Sequence, residues 1–380
     1  MTKFFFTPKL IIFWMKRVGT ATLWLTEGPV PHFREMVELG REIMRALSMH
    51  VGYEEAVRRF ADPFWLSSLA CALGFEWDTS GQTTVTLKAL SHGLMGTDIP
   101  VRVLGGKGAE MRMAQLEAGK LLAEIGVREV GEIRRAMRLT TSVDNAALQD
   151  SYDIYFQAAV VSESGQWVII NQGMNTVNKT ARRYHWSSDR GLGVEEPHTE
   201  ILSETVEDVV LDLTSTTSAE TRQTILEMLE DTPPSRLNQD LAQVKALARK
   251  QHTLTSVFEE LPTIPMHLSP PNRLDEETIR RAKNVSSFDE LLTTQGVGAA
   301  TLRGLAYIAA LVYGSKVSWR DPVKFSYAFG TKSGKPYPVN RAAMLEAAEF
   351  IKQAVMASKM GDETKLTVLR RLNSVLDSNH

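Results

Sequence analysis

The residues best suited to chemistry fall in a few short stretches. Phe288, Leu291 and Leu292, then Gly296-Val297-Gly298, then Thr301, Leu302, Leu305, Ile308 and Ala309 spell a short helix, a tight turn and a second helix. The glycines free the turn from Cβ clashes, Val297 can plug between the helices, and the second helix opens on backbone N–H groups without intrahelical partners. Such donors, at the positive end of a helix dipole, suit a phosphate whatever base it carries. Gly296, Val297, Gly298 and Thr301 are therefore candidate DNA-backbone contacts. The plainer alternative is a helix corner whose glycines serve packing.

Residues 314–341 add Lys316, Arg320, Lys324, Lys332, Lys335 and Arg341 against a single acid, Asp321, interleaved with Trp319, Phe325, Tyr327, Phe329 and Tyr337. Cations beside aromatics suit phosphates and an unstacked base or sugar, and Lys316, Arg320, Lys332 and Lys335 join the DNA-binding set. The alternative is a solvated loop with its aromatics in the core.

Upstream, Lys107 lies within Gly105-Gly106-Lys107-Gly108, where missing Cβ atoms let backbone approach a ligand. Lys179 lies beside Arg182 and Arg183, cations that lower a neighbouring lysine's pKa and hold phosphates. Asp144 and Asp150 flank Ala146-Ala147-Leu148 and can orient an amine, although Asp144 also suits a helix N-cap. His185, His198, Glu195, Glu196, Asp144 and Asp150 are the set for a rival, metal-dependent hydrolysis, but the His185 to His198 spacing fits no compact ligand motif. No cofactor and no metal is expected.

The elements that must position these groups are mainly helical. Met36, Leu39, Ile43 and Leu47 repeat at helical spacing, and Asp62-Pro63 starts a second helix. A β-like run, Val101 to Leu104, breaks at the glycines and leads into a helix whose apolar face holds Met113, Leu116 and Leu121. Ile154 to Ser162 and Trp167 to Asn171 flank Glu163-Ser164-Gly165-Gln166 as a hairpin. Residues 206–214 suggest a strand, and Ala219–Glu230 a helix that Pro233-Pro234 ends. The fold class expected is α+β, predominantly helical: an N-terminal domain over 15–260 with an antiparallel sheet, a linker over 261–275, and a helical domain over 276–380.

Two resemblances sharpen the chemistry. The Gly296-Val297-Gly298 stretch resembles, over about 40 residues, the helix-hairpin-helix DNA glycosylases of the endonuclease III type. That family's imine-forming lysine would fall at Ala300 here, whereas Asp321 lies near the expected aspartate. A longer resemblance runs from Met15 through Asp62-Pro63-Phe64-Trp65, Gly105-Gly106-Lys107-Gly108, Asp144-Asn145-x-Ala147-Leu148-Gln149-Asp150, Gln172-Gly173-Met174-Asn175, Ala181-Arg182-Arg183-Tyr184-His185-Trp186 and Glu195-x-Pro197-His198. It is similar to the prokaryotic domain-of-unknown-function 763 family. That likeness implies an abasic-site lyase of DNA repair, with base excision beforehand left open.

Such a lyase needs an amine to attack C1′ of the opened sugar and a base to take the C2′ proton. Lys107 is the first choice of amine and Lys179 the second, with Asp144 or Asp150 as base. A metal-dependent endonuclease and a noncatalytic DNA-binding protein are the alternatives.

Composition bounds the rest. The chain has 380 residues, 43% hydrophobic and 23% charged, with net charge -2, so DNA contact requires local basic patches rather than bulk attraction. Cys71 is the only cysteine, which excludes an internal disulfide and fits a reducing cytoplasm. The apolar run at residues 1–14 is interrupted by Pro8 and Lys9 and is too short to span a bilayer; Met15 is the expected start. The partner expected is damaged or abasic DNA, with no membrane, and self-association is left open.

Overall fold

A computed structural model describes residues 32–74, 80–203, 206–249, 265–323, 325–326, 341–357 and 360–377. In chain order the helices are α1 (Phe33–Val51), α2 (Tyr53–Arg58), α3 (Pro63–Ala72), α4 (Ser80–Leu94), α5 (Ala109–Ala123), α6 (Val130–Ser142), α7 (Ala219–Asp231), α8 (Pro234–Arg249), α9 (Glu276–Ala282), α10 (Phe288–Thr293), α11 (Ala299–Leu311), α12 (Arg341–Ala357) and α13 (Asp362–Asp377). The strands are β1 (Val101–Lys107), β2 (Leu148–Gln149), β3 (Asp153–Ser162), β4 (Trp167–Asn175), β5 (Thr180–Ser187), β6 (Glu200–Ser203), β7 (Leu211–Asp212) and β8 (Phe325–Ser326). The α+β class holds.

The main sheet runs β1-β3-β4-β5-β6-β8, antiparallel except for the last pair. Its two faces bury different cores. Leu104, Ala159, Ile169, Tyr184 and Trp186 meet α5 to α11, while Val103, Ala158, Val168 and Ile170 meet α1, α3, α4, α12 and α13. A strand covered on both faces has no polar alternation, which is why β3 and β4 read as continuous apolar runs. Both cores draw on residues from either side of 261–275.

Several local readings hold. Asp62 caps α3 by accepting from Phe64 N at 2.8 Å, with Pro63 in the first turn, and the β3–β4 hairpin closes over residues 163–166.

Others need correction. Strand β1 does not break at the glycines but continues through Gly105 and Gly106 to Lys107. A Cβ on Gly105 would lie 2.0 Å from the Gln157 carbonyl oxygen, and one on Gly106 would lie 2.5 Å from the Glu110 side chain. These glycines serve close approach to the protein's own β3 and α5, not to a ligand. On α5 the buried stripe is Ala114, Ala118 and Leu122, because small residues let the helix lie close to the sheet; Leu116 is 70% exposed. The strand expected over 206–214 shrinks to β7, paired with β2. Residues 1–14, Lys324, Lys332 and Lys335 lie outside the described residues.

Candidate functional site

Alternation along β5 separates the two arginines that the sequence sets side by side. Arg182 points with Tyr184 and Trp186 into one core, and Arg183 with His185 into the other. Both guanidinium groups are fully buried, so neither forms part of a basic surface, and the expected DNA contacts at Arg182 and Arg183 are corrected to interior roles.

Arg182 Nη1 donates to Asp150 at 2.8 Å and Nη2 to Asp321 at 2.9 Å, and Nε donates to Ser203 Oγ at 3.1 Å. Burial disfavours its charge, but the two carboxylates outweigh burial and raise its pKa. Burial also pushes the Asp150 carboxyl up to about 6, with Arg182 pulling the other way and Asp321 adding to the rise. Arg183 Nη2 donates to Gln82 Oε1 at 3.3 Å.

Asp144 is no helix cap. It sits in a π-helical turn, Val143–Ala147, where its carboxylate accepts from Asn171 at 2.7 Å and Trp186 Nε1 at 3.0 Å, with His198 Nε2 at 2.6 Å. Fully buried and ringed by these partners, Asp144 holds the core together and is corrected as a base for an incoming sugar.

His185 lies on the opposite face of the sheet. Its Nδ1 is 2.8 Å from the Phe60 carbonyl, and burial lowers its pKa to about 3. Arg222 holds Glu195, and Glu196 accepts from Thr216 N. Among the described residues no three His, Cys, Asp or Glu side chains come together as metal ligands, so the rival hydrolytic set is not assembled.

The open polar surface lies at the end of the sheet where β1 and β4 finish and β3 and β5 begin. A cleft of about 530 Å³ there is lined by Asp150, Ser151, Tyr152, Asn178, Ala299 and Arg303, among others. Lys179 is exposed in the β4–β5 turn, next to Asn178. Lys107 is exposed opposite Phe156, three residues along β3 from Asp153 on the cleft wall, or roughly 10 Å of strand. It borders a separate recess of about 270 Å³ with Thr84, Val85 and Lys88, and its Nζ lies 5.7 Å from the Tyr155 ring centre. The lysines thus share one end of the sheet, with Lys107 on the α4 side and Lys179 beside the cleft.

The glycine turn forms as expected between α10 and α11. Leu291, Leu292, Leu302, Leu305 and Ile308 are buried, and Val297 packs partly buried against the same core. Its glycines differ in kind. Gly296 has φ +93°, and a Cβ there would lie 2.4 Å from Thr278 Oγ1, so glycine is required by the fold. Gly298 is extended, at φ -146°, and a Cβ there would meet nothing within 4 Å. No side chain caps α11, so the bare Gly298 leaves its first N–H groups open beside the cleft.

The wider basic set does not converge here. Lys316 follows the far end of α11, a helix length of roughly 20 Å from Gly298. Lys316 and Arg320 are exposed, on a segment stitched to β7 by Asp212 and Ser318. Sequence reasoning missed Ser151, His267 and Arg303, which carry no motif and meet only through the fold.

A family model described as a protein of unknown function, DUF763, matches residues 19–339. The chain belongs to the DUF763 family. The matched span takes in the sheet, the cleft and the glycine turn alike, so this DUF763 protein shares the whole candidate site with its family model. Comparisons with curated proteins and with solved structures find no match. Among the described residues, no helix is long and apolar enough to cross a membrane.

Proposed function

We propose that this protein grips the DNA backbone at the start of α11 and opens abasic sites through a lysine imine, Lys107 being the first-choice amine. The observation that carries the DNA reading is Gly298. Neither its φ nor the surrounding space requires glycine, yet the missing side chain keeps uncapped helix donors open at the rim of a polar cleft. The choice of lyase chemistry rests on the family resemblance and on exposed lysines at the same end of the sheet.

Gly298→Val tests the grip cleanly. The extended conformation suits valine and the space is open, so the fold should survive at a cost of about 1 kcal/mol for an apolar N-cap, which urea unfolding measures. DNA affinity should fall about ten- to a hundredfold, the effect of losing a hydrogen bond to a charged group, about 1.5–3 kcal/mol. Binding measured on several sequences should weaken alike; an unchanged affinity reduces the turn to a packing device. Gly296→Val is a poor test because it clashes with Thr278.

Borohydride trapping on abasic DNA in excess chelator tests the chemistry. An imine lyase keeps both its adduct and its cleavage, whereas a metal-dependent endonuclease loses cleavage until a divalent ion is restored. A noncatalytic binder gives neither.

A further inference from the structure

We infer that Ser151, His267 and Arg303 form a phosphate-binding subsite on the wall of the cleft, where one phosphate of the DNA backbone sits against the start of α11. The inference deepens the DNA-binding reading above and rests on it for the source of the phosphate.

Ser151 has φ +74°, a left-handed conformation that costs a non-glycine residue energy and persists only when its surroundings hold it. The turn aims Ser151 Oγ to within 2.9 Å of His267 Nε2. Arg303 stands at the start of the second turn of α11, with Nε donating to the Ser269 carbonyl at 2.9 Å and Nη1 to Gln149 Oε1 at 2.6 Å. Gln149 in turn donates to the Ala299 carbonyl at 2.8 Å, which ties the guanidinium to the helix start. Burial lowers the Arg303 pKa, and no carboxylate among the described residues pairs with it. A part-buried guanidinium held by neutral groups alone retains its charge for an anion, and its planar fork matches phosphate geometry.

The other charges of the cleft fit this assignment. Asp150 is paired with Arg182, Glu207 accepts from the Tyr152 hydroxyl at 3.5 Å, and Asp153 is exposed. Burial and then the Arg303 charge lower the His267 pKa, which favours the neutral imidazole. A phosphate seated between His267 and Arg303 offsets the Arg303 charge, and its own negative charge favours the imidazolium. Binding is then coupled to proton uptake by His267.

The test follows the His267 ring signals by NMR as pH is varied in the full chain, alone, with inorganic phosphate and with a short single-stranded oligonucleotide. Oligonucleotide binding is followed separately by fluorescence anisotropy. The expected result is a His267 pKa raised by one unit or more with either phosphate source. Arg303→Gln should remove that rise, while a His267→Gln control identifies the signal. If the oligonucleotide binds and His267 does not respond, the subsite is wrong although DNA binding stands. If inorganic phosphate moves His267 and the oligonucleotide does not bind, the subsite stands and the DNA reading falls. No response to either source overturns the subsite.

Discussion

Replacing Lys107 with alanine should reduce the borohydride-trapped adduct on abasic DNA to the limit of detection while leaving DNA affinity within roughly tenfold, about 1.4 kcal/mol. The two readouts separate because the side chain has separable roles. Its Nζ has no ion pair among the described residues and lies over the Tyr155 ring at 5.7 Å, so its loss leaves no buried charge unpaired. Strand β1 is held by its backbone pairing with β3, which alanine keeps. Lys107→Arg sharpens the result: it retains the charge and its attraction for phosphate but has no amine to form an imine, so it should bind well and trap nothing. If the adduct persists in Lys107→Ala and vanishes in Lys179→Ala, the exposed turn beside the cleft carries the chemistry instead.

Local signals made part of the site legible in the sequence, and long-range placement hid the rest. Periodicity revealed α1, the capped start of α3, the β3–β4 hairpin and the α10–α11 turn, because each is local and its signals lie within a few residues. Runs that depend on distant partners were misread. Arg182-Arg183 looks like a basic surface until β5 is known to be central, with alternate residues sent into two cores. Gly105-Gly106 looks like a ligand loop until β3 is seen pressed against it. Ser151, His267 and Arg303 come from the β2–β3 turn, the stretch before α9 and α11, the first two standing 116 positions apart. No local pattern announces such a meeting, since each residue type is ordinary in its own segment.

The same long-range assembly makes Asp321→Ala the most damaging single change expected for the fold. In the sequence Asp321 lies near the position expected for the aspartate of the endonuclease III type glycosylases. In the structure it is a fully buried carboxylate that grips Arg182 across 139 positions and accepts from the backbone N–H groups of Glu207 at 2.7 Å and Val323 at 3.1 Å. Removing it takes a carboxylate from the fully buried Arg182 guanidinium and an acceptor from the N–H groups of Glu207 and Val323. Breaking a buried pair in this way costs about 3–5 kcal/mol, far more than loss of an exposed ion pair. The change should also alter the pH dependence. The Asp150 pKa, raised to about 6 by burial with Asp321 contributing, makes a stabilising contribution that is full below the unfolded value of 3.8 and is lost as pH rises through 6. Without Asp321 the Asp150 carboxyl ionises more readily, so that loss should shrink. Urea unfolding at pH 5 and pH 7 measures both effects; a cost below about 1 kcal/mol at pH 7 would show that Arg182 finds another partner and that the triad does not hold β5 to the segment after α11.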